Sequence, residues 1–247
     1  MSLTVGIVGL PNSGKSTLFN ALLKRQVANV ASYPFTTIEP NVGVVEVPDG
    51  RLKKLGEMIK PEKVTPAVVK FIDIAGLVKD AHKGEGLGNQ FLAKIREVDA
   101  IIHILRGFKD ESISHYYGSI DPQRDKEIVD IELGLADIKK PTLYVLNQNE
   151  VSSQKGFLVV NAKTGEGVEE LIQEAYELLG LITFYTIKGG KEVRAWSLKE
   201  GASAFEAAEK VHTDMAKGFI KAEVVGYNDL VNSDSWQSAK SQGKISI

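Results

Sequence analysis

The sequence predicts an α/β fold, a largely parallel sheet flanked by helices, followed by a small α+β module. Three observations predict it. Apolar, β-branched runs recur along the chain and alternate with helical patterns. The first run feeds a Gly-rich turn that opens a helix. Near Gly180 the alternation gives way to two strand-like runs joined by a Gly-Gly turn.

Leu3 to Val8 is apolar enough for a buried parallel strand. The residues from Gly9 to Ser16 then spell G-x-x-x-x-G-K-S, and Lys15 to Lys24 reads as a helix with Leu18, Phe19 and Leu22 on one side. Strand, Gly-rich turn and helix start together make a phosphate-cradling P-loop. The backbone N–H groups of Asn12, Ser13, Gly14 and Lys15 point inward at a helix N-terminus, where the helix dipole favours an anion. Lys15 adds a charge at the β/γ-phosphates, the Ser16 hydroxyl is a candidate Mg²⁺ ligand, and Thr17 completes the nucleotide-binding run.

Val42 to Val47 and Val68 to Ile74 are the next apolar runs, separated by a Pro48-Asp49-Gly50 turn signal, and read as an antiparallel edge. Ala100 to Leu105, Thr142 to Leu146 and Phe157 to Val160 continue the sheet, with helices over Gly88 to Glu97 and Gly167 to Leu179. Ile182 to Ile187 and Val193 to Leu198 form a hairpin around Lys188-Gly189-Gly190-Lys191. Ala202 to His212 is helical, Phe219 to Val225 reads as a further strand, and Ser233 to Ile247 is polar and weakly patterned.

The chain has 247 residues, 43% of them hydrophobic, which suits one large domain or a medium and a small one. Its 30 basic and 32 acidic residues give a net charge of −2, which argues against a globally basic DNA binder. With no cysteine there is no disulfide scaffold or thiol chemistry. No run approaches the ~18 apolar residues of a membrane span, so a cytoplasmic protein without membrane partners is expected.

Further motifs narrow the chemistry. Asp73-Ile74-Ala75-Gly76 closes the third apolar run; Asp73 would hold Mg²⁺ through water, and Gly76 lets its N–H approach the γ-phosphate. Tyr33 to Asn41 occupies the place of a first switch, with Thr37 as the second hydroxyl on Mg²⁺. Lys83 to Asn89 contains G-x-G-x-G, which opens no nucleotide turn and suits a second switch. Asn147-Gln148-Asn149-Glu150 follows a strand where GTPases carry Asn-Lys-x-Asp. The acid is one methylene longer and the Lys is replaced by Gln148, so the motif is degraded for guanine. Asn161-Ala162-Lys163 falls where a loop flanks the base.

Together these motifs resemble the Obg-like ATPase (YchF) family. The resemblance is carried by Gly9 to Thr17, Tyr33 to Asn41, Asp73 to Leu77, Lys83 to Leu92, Gly118 to Pro122, Lys191 to Trp196, and His212 to Asp214 with Lys217 to Ile220. It implies a nucleotide-binding domain over 1–180 and a ubiquitin-like β-grasp (TGS) domain over 181–247. It implies hydrolysis of ATP to ADP and phosphate in preference to GTP, with Asn147 and Glu150 matching its Asn-x-x-Glu base motif, and association with ribosomes. It implies an apolar residue after the Asp-x-Ala-Gly motif, here Leu77, where most relatives that orient water with a side-chain amide carry Gln. His115 matches a histidine of the family's pattern and is expected to position the attacking water, with His82 as competitor; His103, in an apolar strand, is expected to be a satisfied core residue. Likeness to potassium-activated P-loop proteins makes the Asn12 side chain a K⁺ ligand. Lys15, Gly76 and His115 are thus the expected catalytic set.

Two departures stand out. The family inserts a long coiled-coil arm, whereas Ile131 to Ile138 here runs almost directly into Lys139-Lys140-Pro141, and the family's TGS domain continues with strands past Ile247. Lys188, Lys191, Arg194 and Lys199 give the hairpin a basic face suited to ribosomal RNA or protein. The alternatives are a GTPase switch of the same fold and a nucleotide-dependent scaffold with negligible turnover, the latter motivated by Leu77.

Overall fold

A computed structural model describes residues 3–26, 41–74 and 87–247, with backbone only for 87–90. Thr37 with most of the first-switch segment, and Gly76, Leu77, His82 and Lys83 to Gly86, lie outside the described residues.

The chain begins with β1 (Thr4–Val8), α1 (Lys15–Leu23) and β2 (Val42–Glu46), then α2 (Gly50–Ile59), β3 (Lys63–Thr65) and β4 (Val68–Asp73). It continues through α3 (Leu87–Glu97), β5 (Ala100–Arg106), α4 (Pro122–Leu135), β6 (Thr142–Asn147), β7 (Leu158–Val160) and α5 (Val168–Leu178). The remainder is β8 (Leu181–Lys188), β9 (Glu192–Lys199), α6 (Ala204–Val211), α7 (Thr213–Lys217), β10 (Val224–Val225), α8 (Tyr227–Asn232), α9 (Trp236–Ser241) and β11 (Ile245–Ser246). These elements gather into two compact units, Met1–Val47 with Val68–Leu179, and Pro48–Ala67 with Gly180–Ile247.

The first unit is built on a six-stranded sheet of order β2-β4-β1-β5-β6-β7. β2 runs antiparallel to β4 and the other pairs are parallel, as the apolar runs predict. The parallel strands need cover on both faces, so β5 is buried along its whole length. On one face Ile101 packs with Phe91, Leu92 and Ile95 of α3 and with Val129 and Leu133 of α4. Leu18 and Leu22 of α1 are also fully buried. The chain leaves β1 toward β2 and β4 on one side and toward β5, β6 and β7 on the other. The C-terminal end of β1 is therefore the switch point of the sheet, where an open α/β sheet leaves a crevice for a ligand.

The second unit holds a three-stranded sheet of order β3-β9-β8. β8 and β9 form the expected antiparallel hairpin. Its turn needs positive φ at two successive positions, supplied by Gly189 (46°) and Gly190 (75°). Phe184 stacks beside Trp196 across the pair, and the Trp196 indole N–H donates to the Thr186 hydroxyl at 2.9 Å.

Residues 48–67 belong to this unit, which a single division at 180 does not capture. β3 pairs in parallel with β9, and the Thr65 hydroxyl donates to Glu192 Oε1 at 2.6 Å. Asp49 caps α2 by accepting from the Arg51 N–H at 2.9 Å, and its other oxygen accepts from the Tyr185 hydroxyl. One further expectation is corrected. The strand expected over Phe219 to Val225 is confined to Val224–Val225, paired with β11. The tail from Ser233 carries α9, capped by Ser235 accepting from the Ser238 N–H at 3.1 Å, and ends in β11. Its short polar helix has no apolar stripe to announce it.

Candidate nucleotide site

The loop from Gly9 to Gly14 joins β1 to α1 at the switch point. Gly9 is required by close approach, since a β-carbon there would lie 2.4 Å from the Ile104 carbonyl oxygen. Asn12 adopts a left-handed conformation (φ 64°), which asparagine tolerates better than most residues. Helix α1 opens on Gly14 with no side-chain cap and no acidic residue in its first turn, so its terminal N–H groups and dipole are left for an anion. The Ser13 hydroxyl is buried with no hydrogen-bond partner among the described residues. A buried donor without a partner and an uncapped helix start in one loop fit phosphate oxygens.

The charged groups of this loop are poised against one another. Lys15 Nζ donates to the carbonyls of Gly9 and Leu10 at 3.0 and 2.9 Å. Burial pulls its pKa down to about 8, against the opposing pull of Asp73. The Ser16 hydroxyl donates to Asp73 Oδ2 at 3.2 Å. Burial raises the Asp73 pKa, while the Ser16 bond and the Lys15 charge oppose the rise. A hydroxyl and a carboxylate side by side next to an anion cradle are the hard-oxygen donors that Mg²⁺ selects.

The second wall, where the sequence leads one to expect the base, is built from the ends of β6 and β7. Asn147, buried at the end of β6, donates from Nδ2 to the Ser13 carbonyl at 3.2 Å and accepts the Ala162 N–H on Oδ1 at 3.0 Å. Its amide is thus spent on joining two loops. Gln148 donates to the Ser152 hydroxyl at 3.3 Å, and Glu150 is exposed. Asn161 donates to the Asn149 carbonyl at 2.9 Å and accepts the N–H groups of Lys163 and Thr164, each at 3.1 Å. Thr17 is exposed in the first turn of α1.

Sequence reasoning missed a third wall, the loop after β5. Arg106 is 3% exposed, and its guanidinium donates to the carbonyls of Phe108, Asp110, Ile113 and Ser114. The Gly107 N–H donates to the Asn147 carbonyl at 2.8 Å, and Asn12 Nδ2 donates to the Ser114 carbonyl at 3.1 Å. Phe108 lies beside the P-loop, with a ring carbon 3.8 Å from where a Gly14 β-carbon would be. The only signal in the sequence was an arginine ending an otherwise apolar strand.

His115 is placed differently from the expectation. Its Nδ1 accepts the Tyr117 N–H at 3.1 Å, which puts the ring proton on Nε2, and Nε2 donates to Asp125 Oδ2 at 2.8 Å. Arg124 holds the other Asp125 oxygen at 2.9 Å. With both nitrogens engaged and the side chain 5% exposed, the imidazole as placed has no free atom for a water. His103 is fully buried as expected, yet neither ring nitrogen has a hydrogen-bond partner among the described residues; the nearest carboxylate, Asp130, is 3.9 Å away.

A family model described as 50S ribosome-binding GTPase matches residues 4–148. The C-terminal model of YchF GTPases, described as a protein of unknown function, matches 181–247. The Ribosome-binding ATPase YchF of Bacillus subtilis (strain 168) is 38% identical, over 100% of this chain and 95% of the relative. That alignment runs over 349 positions against 247 residues here, so the relative carries segments with no counterpart in this chain. The Ribosome-binding ATPase YchF of Escherichia coli O157:H7 is 36% identical over 99% and 94% of the two chains. The solved YchF GTPase of Schizosaccharomyces pombe matches with a TM-score of 0.81 at 27% identity, covering 98% of this chain and 93% of that one. A P-loop at the sheet's switch point, a second loop pinned to it by Asn147, and likeness along the whole chain lead to one assignment: the protein belongs to the YchF family of P-loop NTPases.

Proposed function

We propose that this protein is a ribosome-associated molecular switch that hydrolyses ATP to ADP and phosphate. The observation that carries the hydrolase reading is the uncapped, acid-free start of α1 set against Lys15, Ser16 and Asp73. A bound triphosphate takes the N–H groups of the P-loop, and Lys15 exchanges two neutral carbonyls for the β/γ-phosphates, where its charge is worth more. Ser16 and Asp73, the latter through water, would hold Mg²⁺ with Thr37; bound there, the ion neutralises charge shared by the β- and γ-phosphates. The Asn12 side-chain oxygen is a K⁺ ligand in this reading, since its amide nitrogen is already committed to Ser114. Thr37 and the Gly76 N–H sense the γ-phosphate and release on hydrolysis.

The choice of base follows from Gln148 and Glu150. Adenine offers one exocyclic amine beside an acceptor, whereas the guanine edge needs a short acid that Glu150 does not supply. The bacterial relatives are named ATPases, which favours ATP. The fission yeast structure and the N-terminal family model are named GTPase, which keeps GTP as the second reading. Paired titrations decide: GTP binding tenfold tighter than ATP, about 1.4 kcal/mol, would overturn the ATP assignment. Lys15→Ala should abolish turnover, and retained turnover would move the chemistry elsewhere.

His115 serves here to hold the segment that precedes α4, and His115→Ala should lower thermal stability more than turnover per folded molecule. We read the second unit as a TGS-like β-grasp module that meets the ribosome through the basic hairpin. Lys188→Glu with Lys191→Glu should reduce co-sedimentation with ribosomes, and binding to the unaltered chain should weaken steeply with salt. Unchanged sedimentation would place the contact off the hairpin.

A further inference from the structure

We propose that Arg106 is a positioning residue of the nucleotide site, holding the P-loop through one carbonyl that it shares with Asn12. The inference rests on reading this site as a triphosphate site. Arg106 ends the buried strand β5, and its planar fork gathers the loop that follows. Nε reaches the Phe108 carbonyl at 3.2 Å, Nη2 those of Asp110 and Ile113 at 3.3 and 2.8 Å, and Nη1 that of Ser114 at 3.2 Å. The Phe108 ring lies under the guanidinium, 4.6 Å from centroid to Cζ. No carboxylate of the described residues pairs with Arg106 at ion-pair distance. A buried cation held by four carbonyls and a ring face is an expensive way to fold a surface loop, and neutral side chains would do it at lower desolvation cost.

The shared acceptor gives the arrangement its purpose. The Ser114 carbonyl has two lone pairs; one takes Arg106 and the other takes Asn12 Nδ2 at 3.1 Å. Asn12 sits in the left-handed region inside the phosphate-binding loop. Its amide is anchored to a carbonyl that Arg106 fixes, so the direction of its side-chain oxygen and the N–H groups beside it are set from β5. The same loop donates the Gly107 N–H to the Asn147 carbonyl, tying Arg106 to the base loop as well. A lysine keeps the charge but cannot reach four acceptors from one rigid fork.

Two measurements test this. In the nucleotide-free chain, hydrogen exchange should speed up on Arg106→Met both in 107–115 and in 9–14, by about tenfold or more. Faster exchange in 107–115 with an unchanged P-loop would overturn the inference, whichever nucleotide the site takes. In a double-mutant cycle read as triphosphate affinity, Arg106→Met and Asn12→Ala should each weaken binding about fivefold or more, and the double variant should be little worse than either alone. Additive losses would overturn the coupling. Arg106→Lys should keep most of the defect, and wild-type affinity in that variant would show that charge suffices. Where Arg106→Met does not fold, both measurements are made on Arg106→Lys with the same expectations. Binding of GTP in place of ATP would revise the proposed substrate and leave the cycle, run with GTP, to judge Arg106.

Discussion

A β-carbon on Gly14 would lie 2.3 Å from the amide nitrogen of Asn147. The P-loop and the end of β6 are thus in van der Waals contact at that point, with room for a hydrogen atom and nothing larger. Gly14 also holds φ at 98°, in the left-handed region. Gly14→Ala should therefore lose on two counts: backbone strain of about 1–3 kcal/mol and displacement of Asn147 from the Ser13 carbonyl. Triphosphate affinity should fall by tenfold or more, about 1.4 kcal/mol, with a lower melting temperature. Calorimetric titration beside a thermal melt reads both.

Asn147 and Glu150 should separate by their effects on base choice. Asn147 bonds to protein on both sides of its amide, so Asn147→Ala should weaken ATP and GTP alike and cost about 1–3 kcal/mol of stability. Glu150→Asp with Gln148→Lys should leave stability near wild type and move the ratio of affinities toward GTP. Paired titrations on both variants check this. A base-selective effect of Asn147→Ala, with none from the double change, would exchange the two roles.

Lys15 gives the site a pH signature. In the free protein its pKa is about 8, and phosphate charge in the bound state stabilises the protonated form. Binding therefore takes up a proton above pH 8 and none well below it. Affinity should be flat up to about pH 7.5 and then fall, approaching tenfold per pH unit. Lys15→Arg should bind more weakly yet stay flat over the same range, since a guanidinium does not titrate there. Affinities in a buffer series from pH 7 to 9 make the test.

His103 should set the acid sensitivity of the first unit. Burial lowers its pKa from 6.5 to about 4. The unfolded chain takes up a proton as pH falls through 6.5, and the folded chain does not until near 4. Stability is therefore full above 6.5 and drains between the two values, by on the order of 3 kcal/mol. His103→Leu removes a buried ring with two unpartnered nitrogens and should flatten this slope while leaving stability at pH 7.5 unchanged or raised. Denaturant unfolding at pH 7.5, 6 and 5 on both proteins shows the difference.

The sequence disclosed what local chemistry dictates. Gly9 to Ser16 announced the phosphate loop because only that spacing of glycines, Lys15 and Ser16 suits it, and Asp73 was legible as a polar residue closing an apolar strand. The β8–β9 hairpin was legible from Gly189 and Gly190. What stayed hidden depends on distant partners. Lys63 to Thr65 has no apolar alternation, and its place beside β9 comes from a pairing that no neighbouring residue encodes. Arg106 drew no reading from the sequence, because the carbonyls that hold it come from a loop that only the fold brings onto it. His115 was read for its chemistry, whereas Asp125 and the Tyr117 N–H decide where its nitrogens point.

The pairing of β3 with β9 also orders events in time. Thr65 and Glu192 are 127 positions apart, so β3 leaves the ribosome long before the strand that completes it. Its neighbours β2 and β4 can pair at once, closing residues 48–67 into a loop with nothing yet to pack against. A contact of such long range makes for slow closure. During synthesis α2 and β3 therefore wait, exposed, until their partner strand is made. Emergence of β9 from the ribosome releases them into their sheet, and a chaperone-binding or proteolytic window should close once Lys199 has cleared the exit tunnel.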